Sequence, residues 1–190
     1  MKNSASRILT THVGSLVRPP DLMETLRAKE SGQSYDPDVL ASQVRRAVKE
    51  VVRQQAEVGI DIPSDGEYSK PNFSGYVNER LAGFERRPRD PNESPILNWG
   101  RDRKAFLAFY EAYEGSAQSV PAHPVVCTGP IAYTGQAAVQ RDIENFKSAL
   151  EGVDIEEAFI PPLLPARSRP NDGMSIMRLK TTISTPSRTP

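Results

Sequence analysis

Residues 36–67 read DPDVLASQVRRAVKEVVRQQAEVGIDIPSDGE, and the two parts of this stretch obey different periods. Asp36-Pro37 is a helix start: the aspartate can cap the first turn, and proline is tolerated where an N–H would be unsatisfied anyway. Val44, Ala47, Val48, Val51, Val52 and Ala56 then recur at helical spacing on one stripe. Arg45, Arg46, Lys49, Glu50 and Arg53 occupy the rest as a solvated face. Gly59 stops the helix. Ile60-Asp61-Ile62 then begins a short strand that ends in Pro63-Ser64-Asp65-Gly66-Glu67. A helix feeding a strand that exits into small and polar residues is the grammar of a parallel α/β sheet.

The same grammar recurs on both sides. ILTTHVGSL (8–16) is a run of β-prone residues leading into His-Val-Gly-Ser. VRPPDLMETLRAKESG (17–32) reads as a short helix with Asp21 as its cap. FSGYVNERLAGF (73–84) reads as a further helical turn or two, and 85–98, rich in Pro, Arg, Asp and Asn, as a loop. RDRKAFLAFYEAYEG (101–115) is helix-like. HPVVCTGPIAY (123–133) reads as a third strand, TGQAAVQRDIENFKSALEG (134–152) as a third amphipathic helix, and EEAFIPPLLP (156–165) as a fourth strand. The pattern amounts to about four βα units, a number on which an open doubly wound sheet can close. A complete (β/α)8 barrel needs roughly 200 to 250 residues or more, and the chain has 190.

Composition narrows the functional classes. Acidic and basic residues number 24 each, without the basic excess of a protein that lives on phosphate backbones, so nucleic acid is not expected as a partner. The apolar runs fall far short of the roughly 20 residues that span a bilayer, so no membrane is expected either. The start, MKNSASR, has no apolar run behind it to make a signal peptide. A single cysteine, Cys127, excludes an internal disulfide and fits a reducing compartment, hence a cytoplasmic expectation. With one Cys and two His, His12 and His123, no Cys/His zinc pattern can be built, and no metal ligand is assigned. Within its apolar strand Cys127 is expected to be buried and inert. Residues 166–190 carry eight Ser/Thr, five Arg/Lys and one acid without an apolar period, and disorder is expected there. The domain is therefore 1–165.

Side chains just past the carboxyl ends of parallel strands face the ligand crevice. His12, Gly14, Ser15, Ser64, Asp65, Glu67 and Thr128 stand at such exits. Gly14 and Gly66 permit sharp turns. Ser15 and neighbouring N–H groups suit a carboxylate, and Glu67 suits an ammonium group, a pair that fits the zwitterionic head of an amino acid. Plainer roles stand beside these: Ser15 as a turn residue, Asp65 as a turn former, Glu67 as a cap, His12 as a hydrogen-bonded structural histidine. Phosphate-loop spacing is absent. A Ser–His hydrolase built on Ser15 and His12 lacks the Gly-x-Ser-x-Gly elbow, and would show ester cleavage lost on changing either residue to alanine.

TTHVGSLVRP (10–19), AVKEVVRQQAEVGIDIPSDGEYSKPNFSGYVNERLAGF (47–84), VVCTGPIAYTGQAAVQRDIENFKSAL (125–150) and EAFIPPLLPA (157–166), in that order and spacing, resemble the cobalamin-independent methionine synthase family. The likeness is closest to its shorter single-barrel members and covers about residues 7 to 166. It implies the amino-terminal half of a (β/α)8 TIM barrel of the kind shared with uroporphyrinogen decarboxylase. It also implies methyl transfer from a 5-methyltetrahydrofolate-type donor to homocysteine or a related thiol. By the resemblance, Gly14 and Ser15, with the backbone at Val13, meet the amino acid and Glu67 meets its ammonium; His12 and Asp65, at the same strand exits, complete the substrate-binding positions with no family role carried over to His12. No catalytic residue is assigned. Val17 stands where the family often has proline, and Pro63 interrupts the second strand near Glu67.

The family activates its thiol on zinc held by a His-x-Cys pair, a Glu and a distant Cys in the second half of the barrel. Those ligands do not occur in this sequence, so zinc belongs to the intact family, none is expected on this chain, and these residues alone are expected to be inactive. Read one frame away from the Met174 codon, permitted codons give Glu-Tyr-Tyr-Ala, as relatives have it. A frame change near residue 167 is the expectation, and the DNA sequence downstream of codon 166 tests it. A half barrel exposes sheet edges, so self-association through them is expected. The alternative is a small α/β module that binds an amino-acid-like ligand without catalysis; cooperative melting of a soluble chain favours the module, and aggregation favours the fragment.

Overall fold

The computed structural model describes residues 4–87, 100–115 and 125–161. Its regular elements are α1 (Pro20–Glu30), α2 (Pro37–Glu57), α3 (Phe73–Asn78), β1 (Leu81–Arg86), α4 (Gly100–Ala105), α5 (Leu107–Gly115), β2 (Val125–Tyr133) and α6 (Gln136–Ala149). α2 begins as its sequence dictates: Asp36 accepts hydrogen bonds from the N–H groups of Asp38 (2.8 Å) and Val39 (3.3 Å). The cap expected at Asp21 is not used. The N-cap lies two residues earlier, at Pro19, with no side-chain cap bond, and Asp21 lies in the first turn, where it pairs instead with Arg46 of α2.

Three extended segments run parallel. Thr11 bridges to Ile62 and Ser64 to Phe159, both in parallel sense. Ile62 N–H donates to Thr10 O (3.1 Å), Glu156 N–H to Asp61 O (3.0 Å) and Phe159 N–H to Pro63 O (3.2 Å). The segment around 60–64 therefore lies between the first and the last. Asp61 reinforces this joint, accepting from the Thr10 N–H (2.7 Å) and hydroxyl (3.0 Å) and pairing with Arg7 (2.6 Å). Helices separate these segments along the chain, the right order for α/β connections.

The core forms where the helices cover the segments. Leu22 and Leu26 of α1, Val44, Ala47, Val48, Val51 and Val52 of α2, Tyr68, and Phe146 and Ala149 of α6 form one buried cluster. Five of the six residues of the stripe read from sequence on α2 are in it; Ala56 is half-buried, and Gln55 is buried as well. Burial of an apolar side chain of this size stabilises by about 1.5–3 kcal/mol each.

Several readings from sequence are corrected. The expected third parallel strand is β2, and it pairs antiparallel with β1, Leu81 opposite Tyr133 and Arg86 opposite Val125, with a register shift between Ala82 and Phe84 where the extra residues lie on β2. Among the described residues the parallel segments are thus three, and the count of four βα units does not hold for them. The cause is residues 81–86, read as the continuation of a helix. Asn72 caps α3, its side-chain oxygen accepting from Gly75 N–H (2.7 Å). The helix ends at Asn78, and the chain turns into a strand whose free backbone groups take up 125–133. The ribbon has two strands among the described residues, and Cys127 is exposed rather than buried. Thr128, expected at the crevice, lies within β2 and is exposed. The disordered, out-of-frame tail expected for 166–190 falls outside the described residues, as does His123.

Candidate functional site

The exits of the first two parallel segments meet. Leu16 N–H donates to Gly66 O (3.1 Å), and the Ser15 hydroxyl donates to Glu67 Oε2 (2.7 Å). Gly14 and Gly66 turn the chain with φ of +105° and +63°. A Cβ on Gly66 would sit 3.1 Å from the Tyr68 ring and 3.3 Å from Val51 Cγ1. Glu67 continues the left-handed turn with φ of +59° although it is not glycine. A non-glycine residue in that region costs about 1–2 kcal/mol and persists where its surroundings over-determine it, often at a ligand site. Its surroundings do so here: Asp65 Oδ1 accepts the Glu67 N–H (3.0 Å), and the Glu67 side chain is only 3% exposed.

Charged groups crowd this turn. Arg18 donates from Nη2 to the carbonyl oxygens of Glu67 (2.9 Å) and Lys70 (2.6 Å). Its burial lowers its pKa from the usual arginine value, with Glu67 opposing that effect. Asp65 is buried, which raises its pKa, while Lys70 opposes the rise. Lys70 is buried too; its Nζ donates to Pro161 O (2.8 Å) and lies 5.2 Å from the centre of the Tyr76 ring. The third parallel segment is thus tied to the same rim. Gln55 of α2 fixes the second exit from behind, accepting the Ser64 N–H (3.1 Å) and donating to Ser64 O (2.9 Å). Next to Lys70, the Tyr76 hydroxyl is pushed up to about 12, chiefly by burial and the nearby Asp142.

Of the positions singled out from sequence, Ser15, Asp65 and Glu67 come together with Gly14 between the strands. Ser64 is fully buried, its hydroxyl accepting the Gly66 N–H (3.3 Å), so it shapes the turn rather than facing a ligand. Val13 is 73% exposed, its side chain in solvent. His12 is half-buried, and its Nε2 is enclosed without a hydrogen-bond partner in the protein. Arg18 and Lys70 escaped the sequence reading. Arg18 precedes two prolines and looked like part of a helix entry, and Lys70 sits in a Ser-Lys-Pro-Asn turn. An arginine four residues past a Gly-Ser exit is the one signal available, and it is weak.

Residues 8–158 match the family model described as the cobalamin-independent synthase catalytic domain. The chain belongs to that family. Among its curated relatives, the methionine synthase of Sulfolobus acidocaldarius is 38% identical over 85 residues, 45% of this chain and 25% of that protein. The methionine synthase of Sulfurisphaera tokodaii is 37% identical over 91 residues, 48% of this chain and 25% of that protein. The chain thus spans about a quarter of the length of these relatives. A solved B12-independent methionine synthase from Shewanella sp. W3-18-1, in complex with selenomethionine, overlays on 79% of this chain and 37% of its own, with a TM-score of 0.48 and 22% identity.

The family resemblance implies zinc. Among the described residues no three His, Cys, Asp or Glu side chains converge as a metal ligand set does, so these residues do not fit such a site and no step is derived through one. Nor is any helix among them long and apolar enough to cross a membrane.

Proposed function

We propose that the Ser15–Glu67 rim binds the amino-acid head of a small thiol substrate, homocysteine or a close relative, within a methionine-synthase-like methyltransferase. The observation that carries the reading is the 2.7 Å bond between Ser15 and Glu67 across two strand exits. It places a buried carboxylate beside a hydroxyl and the turning backbone at Gly14. Glu67 offers its charge to the substrate ammonium, a charge-assisted bond about twice as strong as a neutral one. The backbone N–H groups from Val13 to Ser15 receive the substrate carboxylate, and the Ser15 hydroxyl, whose one proton goes to Glu67, adds to them only when it rotates away from that bond. His12, with an enclosed and unpartnered Nε2, and Asp65, through its hold on the Glu67 N–H, complete the set.

In this reading the three parallel segments and their helices are part of a (β/α)8 barrel, whose ligand site lies at the carboxyl ends of its strands. Methyl transfer from a folate-type donor is a property of the whole protein. A non-catalytic binding module is the second reading, and it uses the same rim.

Titration calorimetry with L-homocysteine, and with analogues lacking either the amine or the carboxylate, tests the rim. We expect binding of the intact amino acid and a loss of about tenfold or more in Glu67→Gln, the scale of one charge-assisted bond. Equal affinity for the analogue without the amine would sink the assignment of Glu67.

A further inference from the structure

We infer that Arg18 is a positioning residue, which holds Glu67 in its ligand-binding posture by clamping both ends of the turn from 67 to 70. It rests on the amino-acid reading of the rim. The turn closes on itself through Lys70 N–H and Glu67 O (3.1 Å). Arg18 Nη2 then bonds the carbonyl at each end of that turn, Glu67 O at 2.9 Å and Lys70 O at 2.6 Å.

Residue 67 is consequently held at three points. Asp65 takes its N–H, Ser15 meets its carboxylate, and Arg18 holds its carbonyl. Two of the three restraints come from the first strand exit, so the posture of Glu67 depends on the sheet having formed. The carbonyl restraint matters most for φ and ψ here. A residue in the left-handed region relaxes by rotating its flanking peptide planes, and the Glu67–Tyr68 plane is the one Arg18 fixes. The guanidinium suits this task because one planar nitrogen, Nη2, carries two N–H donors for the two carbonyls, and the group stays charged even when burial disfavours the charge. A buried cation left near carbonyl oxygens alone would be costly, and the Glu67 carboxylate offsets part of that cost. The same cation that fixes the turn is therefore electrostatically coupled to the carboxylate it presents.

The clamp predicts an effect that passes through Glu67, unlike a general loss of stability. Arg18→Met keeps the apolar stem and removes every donor; Arg18→Lys keeps a cation with donors for both carbonyls, on a stem one bond shorter. Two measurements on the full chain decide the matter. Amide hydrogen exchange over residues 66–70 needs no ligand, with α2 as internal reference. Calorimetry with L-homocysteine reads the rim. In Arg18→Met we expect exchange over 66–70 to rise about tenfold or more with α2 unchanged, and affinity to fall about tenfold. Arg18→Lys should recover part of both. In a Glu67→Gln background, Arg18→Met should add no further loss of affinity.

Unchanged exchange over 66–70 in Arg18→Met would overturn the clamp, and so would a loss of affinity equal in size with and without Glu67→Gln. If the unaltered chain binds no L-homocysteine, the amino-acid reading falls, and the exchange experiment alone decides the clamp: local acceleration supports it, and none refutes it.

Discussion

Glu67 is the residue on which the rim turns, and Gly66 is what lets it turn. The Cβ of any residue at 66 would approach the Tyr68 ring and Val51 of the core helix α2, while the backbone is already at a φ of +63°. Gly66→Ala therefore combines left-handed strain with a tight contact. We predict a loss of about 1–3 kcal/mol, read as a lower urea midpoint. Because Glu67 is displaced with it, ligand binding should weaken more than stability accounts for. A variant as stable as the parent would show that the turn has room the geometry does not reveal. Asp65, two residues earlier, has its pKa raised chiefly by burial. That contribution is present below its unfolded value and is lost as pH rises through the folded one.

At the scale of elements, the joint between the first two parallel segments has the opposite sign. Arg7 holds Asp61 well below the usual carboxylate range, aided by the Thr10 N–H. A lowered folded pKa gives stability that is present above the unfolded value of 3.8 and lost as pH falls through the folded one. We predict that acid unfolding steepens below that pH and that Asp61→Asn removes the steepening. Denaturant midpoints at closely spaced acidic pH values, for parent and variant, check it. The carboxylate is near the surface, so salt should weaken the effect.

For the molecule as a whole, a buried ion pair fastens α6 to the turn between α3 and the β1–β2 ribbon. Arg80 Nη2 bonds Asp142 Oδ2 at 3.1 Å, with side chains 9% and 10% exposed. Tyr76 adds its hydroxyl to the same oxygen (3.3 Å) and its ring beneath the guanidinium, 3.5 Å away. Asp142→Ala leaves the buried Arg80 with only the longer pairing to Glu79 (3.9 Å), a loss of about 3 kcal/mol. Thermal melting should show the loss, and replacing both partners together should cost less than their sum. If Asp142→Ala melts like the parent, the pair does not fasten α6.

What the sequence alone determined is local. Asp36-Pro37, the valine stripe and Gly59 set α2 through capping, helical period and a stop, all of which act within a few residues. The Gly-Ser and Asp-Gly-Glu exits were legible for the same reason, since turn chemistry is short-range. What only the tertiary structure decided is pairing. Residues 125–133 have the same composition whether they enter a parallel sheet or an antiparallel ribbon. Their partner was chosen by Leu81–Arg86, some 45 residues away. Arg18 belongs to this second class. Its two carbonyl acceptors lie 49 and 52 residues further along the chain, and no local pattern encodes a contact that exists only once two strand exits have been brought side by side.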